Sequence, residues 1–167
     1  MLRALALFGA VVVVFAVTIG GASGISRPQT FSVLEIDESN ASNIAFDFPQ
    51  GPKPGDRFSL TNGLYKWAGV KRGARIGYDN VLCTFTRVPR SLTEQSTITA
   101  HCAAGFHLPG GQIVAEGFLE FPNGPINADV PIVGGTGTYA NARGWVHTHD
   151  IGNGESGRSS LTFHLLP

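Results

Sequence analysis

Charge is the first scarcity in this sequence. Only 14% of its 167 residues are charged, and Lys+Arg and Asp+Glu both number 12. A zero net charge gives no electrostatic reason to bind nucleic acid or an acidic membrane surface. Cysteine is scarce too, with only Cys83 and Cys102 present. Without a Cys-x-x-Cys pattern, the pair does not read as a zinc site. No segment carries a helical period of any length. Beyond the N-terminus, no apolar run is long enough to span a bilayer. What the chain has is turn formers, Gly 22 and Pro 10, set between short apolar runs. Many turns imply many strands.

The N-terminus reads as an export signal. Arg3 precedes an apolar run, Ala4 to Ile19, and the small residues Gly20 to Gly24 follow. That is the order of a secretory signal peptide. It predicts a signal over 1–24, cleavage after Gly24 and a secreted protein. The alternative is an uncleaved segment that anchors the chain in a membrane. The remainder, 25–167, is long enough to bury a single core.

Runs bounded by Gly, Pro, Asn and Asp predict eight strands. They are Thr30–Asp37, Asp56–Leu64, Ile76–Arg87, Gln95–Phe106, Gln112–Phe121, Ile126–Val133, Arg143–Asp150 and Ser159–Leu165. Several alternate cleanly. Ile113, Ala115, Leu119 and Phe121 share one side, opposite Gln112, Glu116 and Glu120. One buried and one wet face per strand suits an all-β, eight-stranded antiparallel barrel, with a sandwich as the alternative. Such a barrel can hold one small apolar ligand.

Ile132 to Val146, IVGGTGTYANARGWV, reads as a bent corner between two strands, because three glycines in four positions open φ > 0. Gly134, Gly137 and Ala140 also fit the spacing of a dinucleotide fingerprint. That motif must open a helix in a parallel βαβ unit, and only 30 residues follow Gly137, with no helix among them.

Two positions leave alternatives open. Cys83 and Cys102 lie at matching distances from the turn near Pro89–Glu94, so both can face inward and opposite each other. In an exported protein this favours a disulfide, against a free thiol lining a cavity. Glu35 and Asp37 share a face with Phe31 and Val33. Either that face is outer and the acids are solvated, or a carboxylate stands inside the barrel with its acidity altered. His147 and His149 project to one strand face with Trp145, as solvent-facing residues rather than a converging metal site.

The segments SVLEIDE, GDRFSLTNGLY (Gly55–Tyr65), NVLCTFTRVP (Asn80–Pro89) and GGTGTY stand in an order that resembles plant allene oxide cyclases. GLY at Gly63–Tyr65 and ARG at Ala142–Gly144 resemble dirigent proteins instead. The likeness runs from Phe31 to Val146. It implies an eight-stranded barrel with an apolar cavity that works without a cofactor. Carried over by position, Glu35 is the catalytic glutamate, Cys83 the cavity cysteine and Asn62 the water-holding asparagine. Asp37 stands where a second asparagine is expected. Arg143 matches the dirigent binding residue. The Ser-Pro pair of the cyclase water site has no counterpart near Ser42–Ile44, and the chain is longer between Asn62 and Cys83. The resemblance implies an isomerase, an intramolecular cyclase acting on a small apolar intermediate, or a non-enzymatic dirigent- or lipocalin-like binder. It also implies a homo-oligomer, a trimer or dimer. A third reading is a structural barrel filled by its own side chains. Asn40-Ala41-Ser42 is a glycosylation sequon.

Overall fold

A computed structural model describes residues 27–38, 51–68, 71–91, 96–153 and 156–167. The expected signal segment 1–24 and the Asn40 sequon lie outside the described residues. Eight strands form a closed antiparallel barrel in sequence order, with the first pairing the last. They are β1 (Gln29–Asp37), β2 (Arg57–Ala68), β3 (Lys71–Arg87), β4 (Ile98–Leu108), β5 (Gly111–Phe121), β6 (Asn127–Gly135), β7 (Arg143–Asp150) and β8 (Arg158–Leu166). Closure leaves no edge, which decides against the sandwich.

Alternation sets the inner face, as β5 shows. Ile113 and Ala115 are fully buried, while Val114, Glu116 and Glu120 face out. In β6, Val130 and Ile132 are buried between exposed Asp129 and Pro131. The β5–β6 ladder is short, ending at Ala115 opposite Ile132. Pro131 follows at once; it has no N–H to give a ladder, and its Cδ would stand 3.1 Å from a Cβ on Gly117.

One end of the barrel is plugged. β6 runs into a 3₁₀ turn, Gly137–Tyr139, the bent corner expected from the glycines. Gly137 has φ 60°, and a Cβ there would lie 2.1 Å from the Gly110 carbonyl oxygen. The corner thus sits on the β4–β5 turn at a distance only glycine allows. Behind it, the Phe31 and Phe163 rings stack at 4.9 Å and Phe106 meets Phe163 edge-on at 5.0 Å. Phe163, Leu165 and Ile113 have essentially no exposed surface.

The β2–β3 hairpin is longer than expected. β2 continues past Leu64 to Ala68, and β3 begins at Lys71 rather than Ile76. Gly73, which falls between the two expected strands, lies inside β3. At Gly77 a Cβ would fall 1.9 Å from the His107 carbonyl oxygen, so this glycine permits a close strand approach rather than a turn.

Candidate functional site

The other half of the barrel is hollow. A cavity of about 170 Å³ lies towards the β1–β2, β3–β4, β5–β6 and β7–β8 connections. One water needs roughly a tenth of that, so the space suits a small organic molecule. Its two sides differ. From β4, β5 and β6 come Ala104, Phe106, Ala115, Leu119 and Val130, all apolar. From β2, β1, β8 and β7 come Asn62, Glu35, Ser159 and Asp150. Strand register makes those four neighbours on an arc. Glu35 lies opposite Ser159, and Ser159 opposite Asp150. Asn62 lies opposite Asp79 of β3, and Asp79 is wholly buried behind the wall.

Hydrogen bonds join the arc. The Asn62 amide Nδ2 donates to Glu35 Oε1 (3.1 Å) and to Asp79 Oδ1 (2.9 Å). Ser159 Oγ donates to Asp150 Oδ1 (2.8 Å), and the Ile126 N–H donates to Asp150 Oδ2 (2.8 Å). Glu35 is half-buried by surface area because it lines the cavity, yet it lies deep in protein. Burial raises its pKa, and the nearby Asp150 adds to the rise. Hydrogen bonds with Asp79, Asn62 and Ser159 oppose it. Burial also raises Asp79, to about 9, with the Glu35 charge contributing next.

Two buried carboxyls this close do not both ionise near neutral pH; they share one proton. The proton is best held by Asp79, which has no exposed surface, whereas Glu35 borders the cavity. Asp79 Oδ2 receives no hydrogen bond from the described residues. As an O–H it needs an acceptor, and the Glu35 carboxylate beside it is one. Glu35 therefore faces the cavity as one half of a carboxyl pair that shares a proton, braced by Asn62 and by Asp79.

The sequence-derived candidates separate into those at the cavity and those away from it. Glu35, Asn62 and Cys83 come together on its wall. Both N–H groups of the Asn62 amide are committed to carboxyl oxygens, so Asn62 acts by holding Glu35. Cys83 pairs directly with Cys102, and a disulfide joins them across β3 and β4. The free-thiol alternative is thereby corrected: in this pairing the sulfurs are wall and staple. Asp37 is exposed at the end of β1, its N–H bonded to the Gly157 carbonyl (2.8 Å), and does not line the cavity. Arg143 lies at the plugged end, exposed, with its Nε donating to the Pro167 carbonyl (2.7 Å). The structure does not bring it to the cavity. His147 points outward to Asp129 at 2.8 Å. Among the described residues no three His, Cys, Asp or Glu side chains cluster as metal ligands.

Asp79, Asp150 and Ser159 were missed by sequence reasoning. The signal for Asp79 was present: it shares strand parity with Val81, Cys83 and Phe85, the face already assigned inward.

No protein-family model and no curated protein matches the chain. Solved structures do match its fold. It is similar to a pyocyanin demethylase at 24% identity, over 82% of this chain and 99% of that one, with a TM-score of 0.62. An exo-specific intermolecular Diels-Alderase matches at 18% identity, over 83% and 97%, with a TM-score of 0.58. A nonspecific heme-binding cyclase that catalyses [4 + 2] cycloaddition during neoabyssomicin biosynthesis matches at 17% identity, with a TM-score of 0.59. That likeness spans 83% of this chain and 65% of the cyclase. At these identities what is shared is the fold, a closed eight-stranded barrel.

Proposed function

We propose that this chain is a secreted allene oxide cyclase-like barrel, an isomerase that folds a small, reactive, apolar molecule and steers its closure into a ring. The observation that carries the reading is Glu35, a carboxyl group held by Asn62 on the wall of an otherwise largely apolar cavity. In the cyclisation that the family resemblance implies, the C–O bond of a strained unsaturated epoxide breaks and its electron pair stays on oxygen. The delocalised cation that remains closes by forming a C–C bond, with no atom gained or lost. The apolar wall of β4, β5 and β6 selects the folded shape of the chain. Glu35 stabilises the positive charge as it develops, where little water competes. Asn62 and Asp79 fix the carboxylate so that it need not reorganise during the step. The solved barrels that cyclise their substrates support the same reading by fold. Export over the 1–24 signal fits a protein whose two cysteines are joined, since disulfides persist in oxidising compartments.

The test uses unsaturated epoxides that cyclise spontaneously to a racemate. With the mature protein, one enantiomer is expected in excess. Glu35→Gln should lower the protein-directed rate about 10²–10³-fold and return the product towards the racemate. A protein that binds such compounds yet leaves them racemic is a carrier. That second reading, a dirigent- or lipocalin-like binder, draws on the loss of the cavity thiol to the Cys83–Cys102 bond.

A further inference from the structure

Every charged group on the described cavity wall is acidic. Among the described lining residues the only ionisable side chains are Glu35 and Asp150, on neighbouring parts of the arc. Aromatic rings share the cavity wall with the acids. Phe58, Phe106 and Phe121 line it, with Phe58 and Phe121 edge-to-face at 5.7 Å.

We infer that the ligand of this cavity is a compact organic cation, a protonated amine or a cationic nitrogen heterocycle on an apolar body, and not a carboxylate. The inference rests on the reading of the cavity as a small-molecule site and narrows it to a charge class. A fatty-acid-type anion would bring a further negative charge next to Glu35 and Asp150 with no cation on the wall to pair it, which is costly away from water. A cation meets the opposite situation. Glu35 and Asp150 offer opposite charge, and the Phe58, Phe106 and Phe121 rings on the same wall offer quadrupoles that attract positive charge. The volume of about 170 Å³ limits the body to the size of one or two fused rings. Substrate and reaction then agree in sign. The groups that hold a cationic ligand are those that stabilise positive charge during its conversion.

The experiment is a calorimetric titration of the mature protein at neutral pH with three probes of one shape: naphthylmethylammonium, naphthylmethanol and naphthoate. The ammonium is expected to bind at least about tenfold more tightly than the alcohol, roughly the difference that one desolvated cation–π contact with a charge partner supplies. Naphthoate should bind more weakly than the alcohol. Glu35→Gln and Asp150→Asn should each reduce the ammonium-to-alcohol preference at least about threefold. The two variants are independent, so a folding failure in one, seen by circular dichroism, leaves the other to decide. Naphthoate binding as tightly as the ammonium, or a preference that neither variant alters, overturns the charge assignment while leaving the small-molecule site standing. Failure of all three probes to bind overturns the site reading itself, and the charge assignment with it.

Discussion

Towards the β4–β5 turn, Phe31, Phe106 and Phe163 stack across the barrel and fill it. Towards the β1–β2 connection, the same eight strands turn Ala104, Thr148 and Ser159 inward, and a cavity remains. The backbone architecture is common to both halves; side-chain volume and polarity are not. The packed half buries Ile113, Phe163 and Leu165 without a polar group among them. The hollow half instead carries Asn62, Glu35, Ser159 and Asp150 on its wall, with Asp79 behind them. The contrast assigns stability to one half and chemistry to the other, and each assignment can be broken separately.

The largest stability effect should come from the packed half. Phe163→Ala removes a fully buried ring in contact with two others, and should cost about 3–5 kcal/mol in urea unfolding. A cost below ~1 kcal/mol would show that this half does not anchor the barrel. Next is the disulfide, which closes a loop of sequence separation 19. Its removal by the double substitution Cys83→Ala, Cys102→Ala should cost about 3 kcal/mol on the chain-entropy account, read as a lower thermal midpoint. An unchanged midpoint would leave the bond as cavity wall alone.

Those two sites were also unequally legible in the sequence. The cysteines could be paired because both sit in a hairpin whose strands alternate cleanly, and the observed register sets Cys83 opposite Cys102. Glu35 could not be placed, because both faces of β1 are covered. Val33 is 1% exposed on the inner face, while Leu34 is 0% exposed on the outer face, beside its strand partner Tyr65. Outside, the Tyr65 hydroxyl donates to Glu38, and the Arg72 guanidinium lies 4.9 Å over its ring. Alternation identifies a face only when the other side is wet, and here neither is. The shared proton depended on register too: Asn62 meets Asp79 only once β2 and β3 are aligned. Arg143 was carried by motif likeness alone. Its strand parity is that of Trp145, which faces outward and stacks on His164 at 4.7 Å.

A smaller effect sharpens the contrast within one residue type. Phe121 lines the cavity and is only half-buried, unlike Phe163. Phe121→Ala borders space that already exists, so it strips fewer contacts and should cost about 1–2 kcal/mol, below the usual range for a core phenylalanine. It should also widen the cavity enough to admit a bulkier probe. A cost equal to that of Phe163→Ala would mean that the hollow half is as tightly built as the packed one.

The last prediction concerns pH, and only the hollow half should supply it. In the unfolded chain Asp79 ionises near its ordinary value of 3.8; in the barrel it keeps its proton to about 9. Above the unfolded value the native state therefore holds a proton that the unfolded state has released. Stability must fall as pH rises through that window, by at most about 1.4 kcal/mol per pH unit for one proton. Asp79→Asn is the shape of the neutral acid: its carbonyl can accept from Asn62 and its amide can donate to Glu35. The variant should keep the wall intact and flatten the decline between pH 6 and 8, measured as the urea midpoint at each pH. A variant as pH-sensitive as the parent would remove Asp79 as the holder of the shared proton. Phe163→Ala is the matching control: it should lower the whole curve and leave its slope unchanged, because the side chain it removes carries no proton to exchange.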